Sequence, residues 1–162
     1  MMRVIKYFLV FMIAGGWWAI PTLFYYIKGE IAPYVSTIEG SKKAIDEINR
    51  LRGLEGEGPI KFDEQAFEFA MSRAKDMAER DYLSHCTPEG VCVEDLAKEK
   101  GLPFVCEACA IAVDELDAVK LWHQSPTHWR LCLTQPAISG AVACYKDKCV
   151  FIALREGGGD AS

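Results

Sequence analysis

Apolar residues fall three and four apart in two stretches of this chain and run almost unbroken in four others. Ala44, Ile45, Ile48 and Leu51 mark one face of a helix, and Ser41 is the N-cap candidate for a helix through Arg52. Gly53, Gly56 and Gly58 then break the chain, and Pro59 to Phe62 is a short extended piece. Phe67, Ala70, Met71, Ala74, Met77 and Ala78 predict a second helix, capped by Asp63 and running to about Arg80. Thr87-Pro88-Glu89-Gly90 is turn chemistry. Val93 to Lys100 reads as a third helix ended by Gly101, and Asp114 to His123 as a fourth. Ser125-Pro126 starts one more short helical turn, because proline suits the first helical position. Phe104 to Ala112 is apolar, carries one glutamate and lacks a helical period, which predicts a strand. Ile138–Tyr145 and Cys149–Arg155, joined by Lys146-Asp147-Lys148, read as an antiparallel hairpin.

Ahead of these elements, Tyr7 to Ile27 carries no charged residue over 21 positions. As a helix it would span roughly 30 Å, the thickness of a hydrocarbon core. Arg3 and Lys6 precede it, and Trp17, Trp18, Tyr25 and Tyr26 include candidate interfacial anchors. A cleaved signal peptide is the weaker reading, since the apolar run exceeds the usual ~7–15 residues and no A-x-A-like site follows. A soluble core helix would need a polar face, which the run lacks. The expected organisation is a membrane anchor over 1–29, a stalk over 30–40, one domain over 41–156 and a disordered tail over 157–162. The domain would lie outside the cytoplasm, on a single-pass protein of the cell membrane.

Composition narrows this further. The 162 residues are 51% hydrophobic, with a net charge of -5. No Lys/Arg stripe is present, which argues against nucleic acid as a partner. Seven cysteines all lie from Cys86 onward. A disulfide framework and a metal site compete as explanations, and export favours disulfides. Cys144 and Cys149 flank the hairpin turn on facing strands, where a bridge can close. Cys86 and Cys92 are a second candidate pair. Cys106 and Cys109 form a C-x-x-C, but strand alternation sends them to opposite faces. They would then take different partners, and Cys132 is a plausible one for either. A redox pair or half of a zinc site is the rival reading of that motif.

Four blocks line up in order: Asn49 to Arg52 with its glycine-rich turn, Ala74 to Ser84-His85, the strand bearing Glu107, and Trp122 followed by Ser125-Pro126-Thr127-His128. Together they resemble the CAP superfamily of cysteine-rich secretory, antigen 5 and pathogenesis-related proteins, and most of all its prokaryotic SCP-like branch. The resemblance covers about residues 41–155. It implies an α+β fold, an α-β-α sandwich of the CAP type, behind the one N-terminal transmembrane helix. It also implies a central cleft bearing His85, Glu107 and His128. Ser125 stands where many relatives have a second glutamate. The chain departs from the pattern at Cys106-Glu107-Ala108, which lacks the Gly and Asn around the acid, and at Thr127, which replaces a Gly.

Two imidazoles and one carboxylate are a set that could hold Zn2+ with one position open, do acid–base work, or only hydrogen-bond across the cleft. His85 and His128 are the metal-ligand candidates. No serine or thiol sits in a recognised nucleophile motif. The preferred expectation is a binding or interaction module of the cell envelope, with a lipid, glycan or protein ligand. The rival is a metal-dependent, peptidase-like hydrolase using His85, Glu107 and His128. A redox or zinc protein built on the C-x-x-C is third. His123 reads as a surface residue, Trp122 and Trp129 as core, and Arg130 carries no assigned chemistry.

Overall fold

The structure, a computed structural model, describes residues 33–155. The apolar run read as an anchor, the first residues of the stalk and the glycine-rich tail lie outside the described residues. Among those described, no helix is long and apolar enough to cross a membrane.

The domain is a three-layer sandwich. In chain order it comprises α1 (Ile38–Leu54), β1 (Lys61–Phe62), α2 (Glu64–Glu79), α3 (Val93–Glu99), β2 (Phe104–Ile111), α4 (Glu115–Gln124), α5 (Pro126–His128), a π-helical turn (Trp129–Leu133), β3 (Ser139–Tyr145) and β4 (Lys148–Leu154). The sheet order is β1-β3-β4-β2. β1 runs parallel to β3, and the other neighbours are antiparallel. One face of the sheet packs against α1, α4 and the π-helical turn, the other against α2 and α3. β3 and β4 are buried on both faces, which is why their sequences read as apolar runs rather than as an alternation.

Local sequence explains most element boundaries. Asp63 Oδ1 accepts from Ala66 N at 2.9 Å and starts α2, and Asp114 Oδ1 accepts from Asp117 N at 2.8 Å and starts α4. α1 differs from expectation. Thr37, not Ser41, is its cap, and accepts from Gly40 N at 3.0 Å. Ser41 lies inside the helix, since its own N–H already reaches Thr37 O. Its buried hydroxyl accepts instead from Val142 N at 3.0 Å and ties α1 to the sheet. Glycine is needed at Gly140 in β3, because a Cβ there would stand 2.5 Å from the backbone oxygen of Ile152. The hairpin turn is also tighter than its composition suggests. It has two residues, Lys146 adopts φ 57°, and Lys148 already pairs in β4.

The described part of the expected stalk is not a free linker. Lys146 N donates to Tyr34 O at 2.7 Å and Ser36 N to Cys144 O at 2.9 Å. Tyr34 donates its hydroxyl to Glu115 Oε2 at 2.5 Å. Backbone groups near the end of β3 would otherwise lack partners, and residues 34–36 supply them.

Six cysteines pair as Cys86–Cys92, Cys106–Cys132 and Cys144–Cys149. Cys144 and Cys149 are direct cross-strand partners. Cys106 faces the α1/α4 side, where the π-helical turn delivers Cys132, while Cys109 faces α2 and remains a buried free thiol. Alternation along β2 thus decided which cysteine Cys132 meets.

Candidate functional site

The site grows from the α2 face of β2. Arg73 lies on the buried stripe of α2 with Phe69, Ala70, Ala74 and Met77. A guanidinium on that stripe must find an anion, because an unpaired buried charge is costly. Glu107 supplies it. Arg73 Nε donates to Glu107 Oε2 at 2.9 Å and Nη2 to Oε1 at 3.3 Å. The rest of the fork is used as well: Nη2 donates to Ser84 O at 2.8 Å and Nη1 to Tyr82 Oη at 3.1 Å. The turn leaving α2 is therefore gripped by the same arginine that neutralises the acid. That turn carries His85, whose Nδ1 lies 2.9 Å from Glu107 Oε1. Cys109, two residues along β2 from Glu107, completes the group. One donor atom from each of His85, Glu107 and Cys109 falls within 4.8 Å of the others.

Electrostatics follow from burial. Burial opposes the charge on Arg73, but hydrogen bonds and attraction from Glu107 more than offset it and hold the guanidinium above its ordinary range. Burial, with the Glu107 charge beside it, pushes the Cys109 thiol far up, so it stays protonated. The hydrogen bond to Glu107 raises the His85 ring above 6.5 against a smaller opposing effect of desolvation. The sign is that of a base gaining a partner on folding. Its contribution to stability is complete below the unfolded pKa near 6.5 and is lost as pH rises through the higher folded value. Because the side chain is 57% exposed, the contribution is small. In metal-free protein, an NMR titration of the His85 ring should give a midpoint above 6.5. A midpoint at or below 6.5 would contradict the Glu107 contact.

The other two expected site residues meet each other instead. His128 Nδ1 lies 2.9 Å from Ser125 Oγ. Ser125 occupies the N-cap position of α5, but its side chain makes no capping hydrogen bond. α5 packs against α4 and the π-helical turn, the layer on the far side of the sheet from α2. Glu107 points toward α2. No hydrogen bond links His128 to His85 or Glu107 among the described residues, and His128 is outside the group whose donor atoms converge. Hydrogen bonds thus join the expected cleft residues as two pairs, His85 with Glu107 and His128 with Ser125. Among the described residues, the donor atoms that converge closely enough to share one metal ion are those of His85, Glu107 and Cys109, all ligand types that zinc takes. His123 is exposed and sets its ring edge-on against Trp129. Trp122 and Trp129 are core, as expected, and Arg130 is exposed.

Sequence reasoning missed Arg73 and gave Cys109 no place beside the acid. A signal for Arg73 was present: a charge among the apolar positions of α2. For Cys109, the i, i+2 spacing from Glu107 places both on one strand face.

Comparison with known proteins agrees with the architecture. No curated protein matches the chain in sequence. An extracellular protein containing an SCP domain from Bacillus anthracis superposes with a TM-score of 0.63 at 22% identity, over 73% of this chain and 41% of its own. This chain therefore spans only about two fifths of that one. An outer surface protein from Borrelia burgdorferi superposes with a TM-score of 0.62 at 18% identity, over 76% of this chain and 99% of its own. Both likenesses are of fold. The family model described as the cysteine-rich secretory protein family matches residues 45–152, from the first helix to the last strand, and the chain belongs to that CAP family.

Proposed function

We propose that the protein is a membrane-anchored CAP domain outside the cytoplasm that works as a binding module of the cell envelope. The observation that carries the binding role is the buried Arg73–Glu107 pair. A carboxylate committed to a guanidinium is a poor general base. The one free thiol beside it is buried and protonated, so no activated side-chain nucleophile accompanies the acid. Location outside the cytoplasm draws support from the three disulfides and from the uncharged run at Tyr7–Ile27. The two similar structures are of proteins described as extracellular and outer surface. A lipid, a glycan or a protein would suit such a module.

Topology and chemistry are tested together. In fractionated cells the protein should sediment with membranes, and protease added to intact cells, or to cells freed of any outer envelope layer, should degrade residues 33–155. Purified protein should show no peptidase activity above that of a His85→Ala variant. Protection of the domain inside the cytosol would overturn the topology. Chelator-sensitive proteolysis lost in His85→Ala would replace the binding role with the hydrolase.

A further inference from the structure

We propose that His85, Glu107 and Cys109 form a zinc site with its fourth position open to solvent. The donors come from the turn after α2 and from one face of β2, so the fold holds two of them at fixed i, i+2 spacing and brings the third to them. Imidazole nitrogen, carboxylate oxygen and sulfur are a mixed set that suits zinc rather than magnesium or calcium. Tetrahedral zinc ligands stand about 3.3–3.6 Å apart. The separations in the group are all within 4.8 Å, and that of His85 Nδ1 from Glu107 Oε1 is 2.9 Å. Side-chain adjustment closes the remainder.

Arg73 does not block the site. Glu107 has two oxygens with different duties. Oε2 takes the short 2.9 Å bond from Arg73 Nε, while Oε1 has the longer 3.3 Å contact and the His85 ring. A metal takes Oε1 and leaves Oε2 on Arg73, which then orients the ligating carboxylate. Binding releases the thiol proton of Cys109 to solvent. The Zn2+, thiolate and carboxylate charges sum to zero, so with Arg73 the loaded cluster carries one net positive charge, and the short bond from Arg73 Nε to Oε2 keeps the guanidinium partnered. Glu107 and Cys109 are buried and His85 is exposed, which leaves an entry path and an open coordination position on the histidine side. This set differs from the one implied by family likeness, because Cys109 replaces His128. It stands whether or not the proposed topology holds.

The test uses the full chain in detergent, oxidised so that Cys109 is its single free thiol, with Co2+ as the probe. One equivalent of Co2+ should bind and give sulfur-to-cobalt charge-transfer absorption in the near ultraviolet, a band that only Cys109 can supply. Cys109→Ser should lose the band and weaken Zn2+ competition by at least about tenfold. His128→Ala should keep both. A wild-type complex without the sulfur band overturns the proposal, and so does loss of binding in His128→Ala. Because the wild-type band decides on its own, a Cys109→Ser variant that fails to fold leaves the test intact.

Discussion

Replacing Arg73 with methionine, while Glu107 stays in place, is expected to cost about 3–5 kcal/mol of folding stability. The two side chains are 3% and 0% exposed. Once the guanidinium is gone, a buried carboxylate keeps only His85, and Ser84 O and Tyr82 Oη each lose a donor. The pair itself adds much less than that loss suggests, because desolvating both ions offsets most of their attraction. Arg73→Met combined with Glu107→Gln should therefore recover most of the deficit. Exposed pairs set the contrast. Lys43 and Glu39 are 65% and 72% exposed at 3.8 Å, and removing Lys43 should cost under about 1 kcal/mol. Urea unfolding of the three variants and the parent measures all of this. A loss below about 1 kcal/mol in Arg73→Met would mean that the acid is not buried as described.

The disulfides should rank by the loop each closes. Cys106–Cys132 spans a sequence separation of 26 and Cys144–Cys149 a separation of 5. Loop-closure entropy then assigns about 3.5 kcal/mol to the first and about 2 kcal/mol to the second. The paired serine variants should lower the urea midpoint in that order. The Cys106–Cys132 variant has a second, local signature. That bridge fastens the π-helical turn to β2, so amides of Trp129–Leu133 should exchange faster while those of α2 do not. Equal losses from both variants would show that the bridges act through strain or packing rather than through the unfolded chain.

Much of the fold was legible because its elements announce themselves locally. Asp63 and Asp114 cap helices where the apolar period begins, and β2, β3 and β4 read as strands from unbroken apolar runs. The misreadings were of competing local options. Thr37 and Ser41 are both competent caps, and only the approach of Val142 decides that Ser41 turns inward. Pro33 and Ser36 look like linker composition, yet Ser36 satisfies the backbone of Cys144. A single strand cannot reveal which partner lies beside its end.

The sequence by itself determined most helices and strands, from helical periods, cap positions and apolar runs, and the family from its ordered motif blocks; the three layers followed from that resemblance, and the hairpin disulfide from the cysteines flanking the turn. Only the tertiary structure decided what surrounds Glu107. Its neighbours come from α2, from the turn beyond it and from its own strand, and they meet because strand alternation turns its side chain toward that layer. The same alternation directed Cys106 to Cys132 and left Cys109 beside the acid. Which face a residue presents is local information, but what waits on that face is fixed by packing.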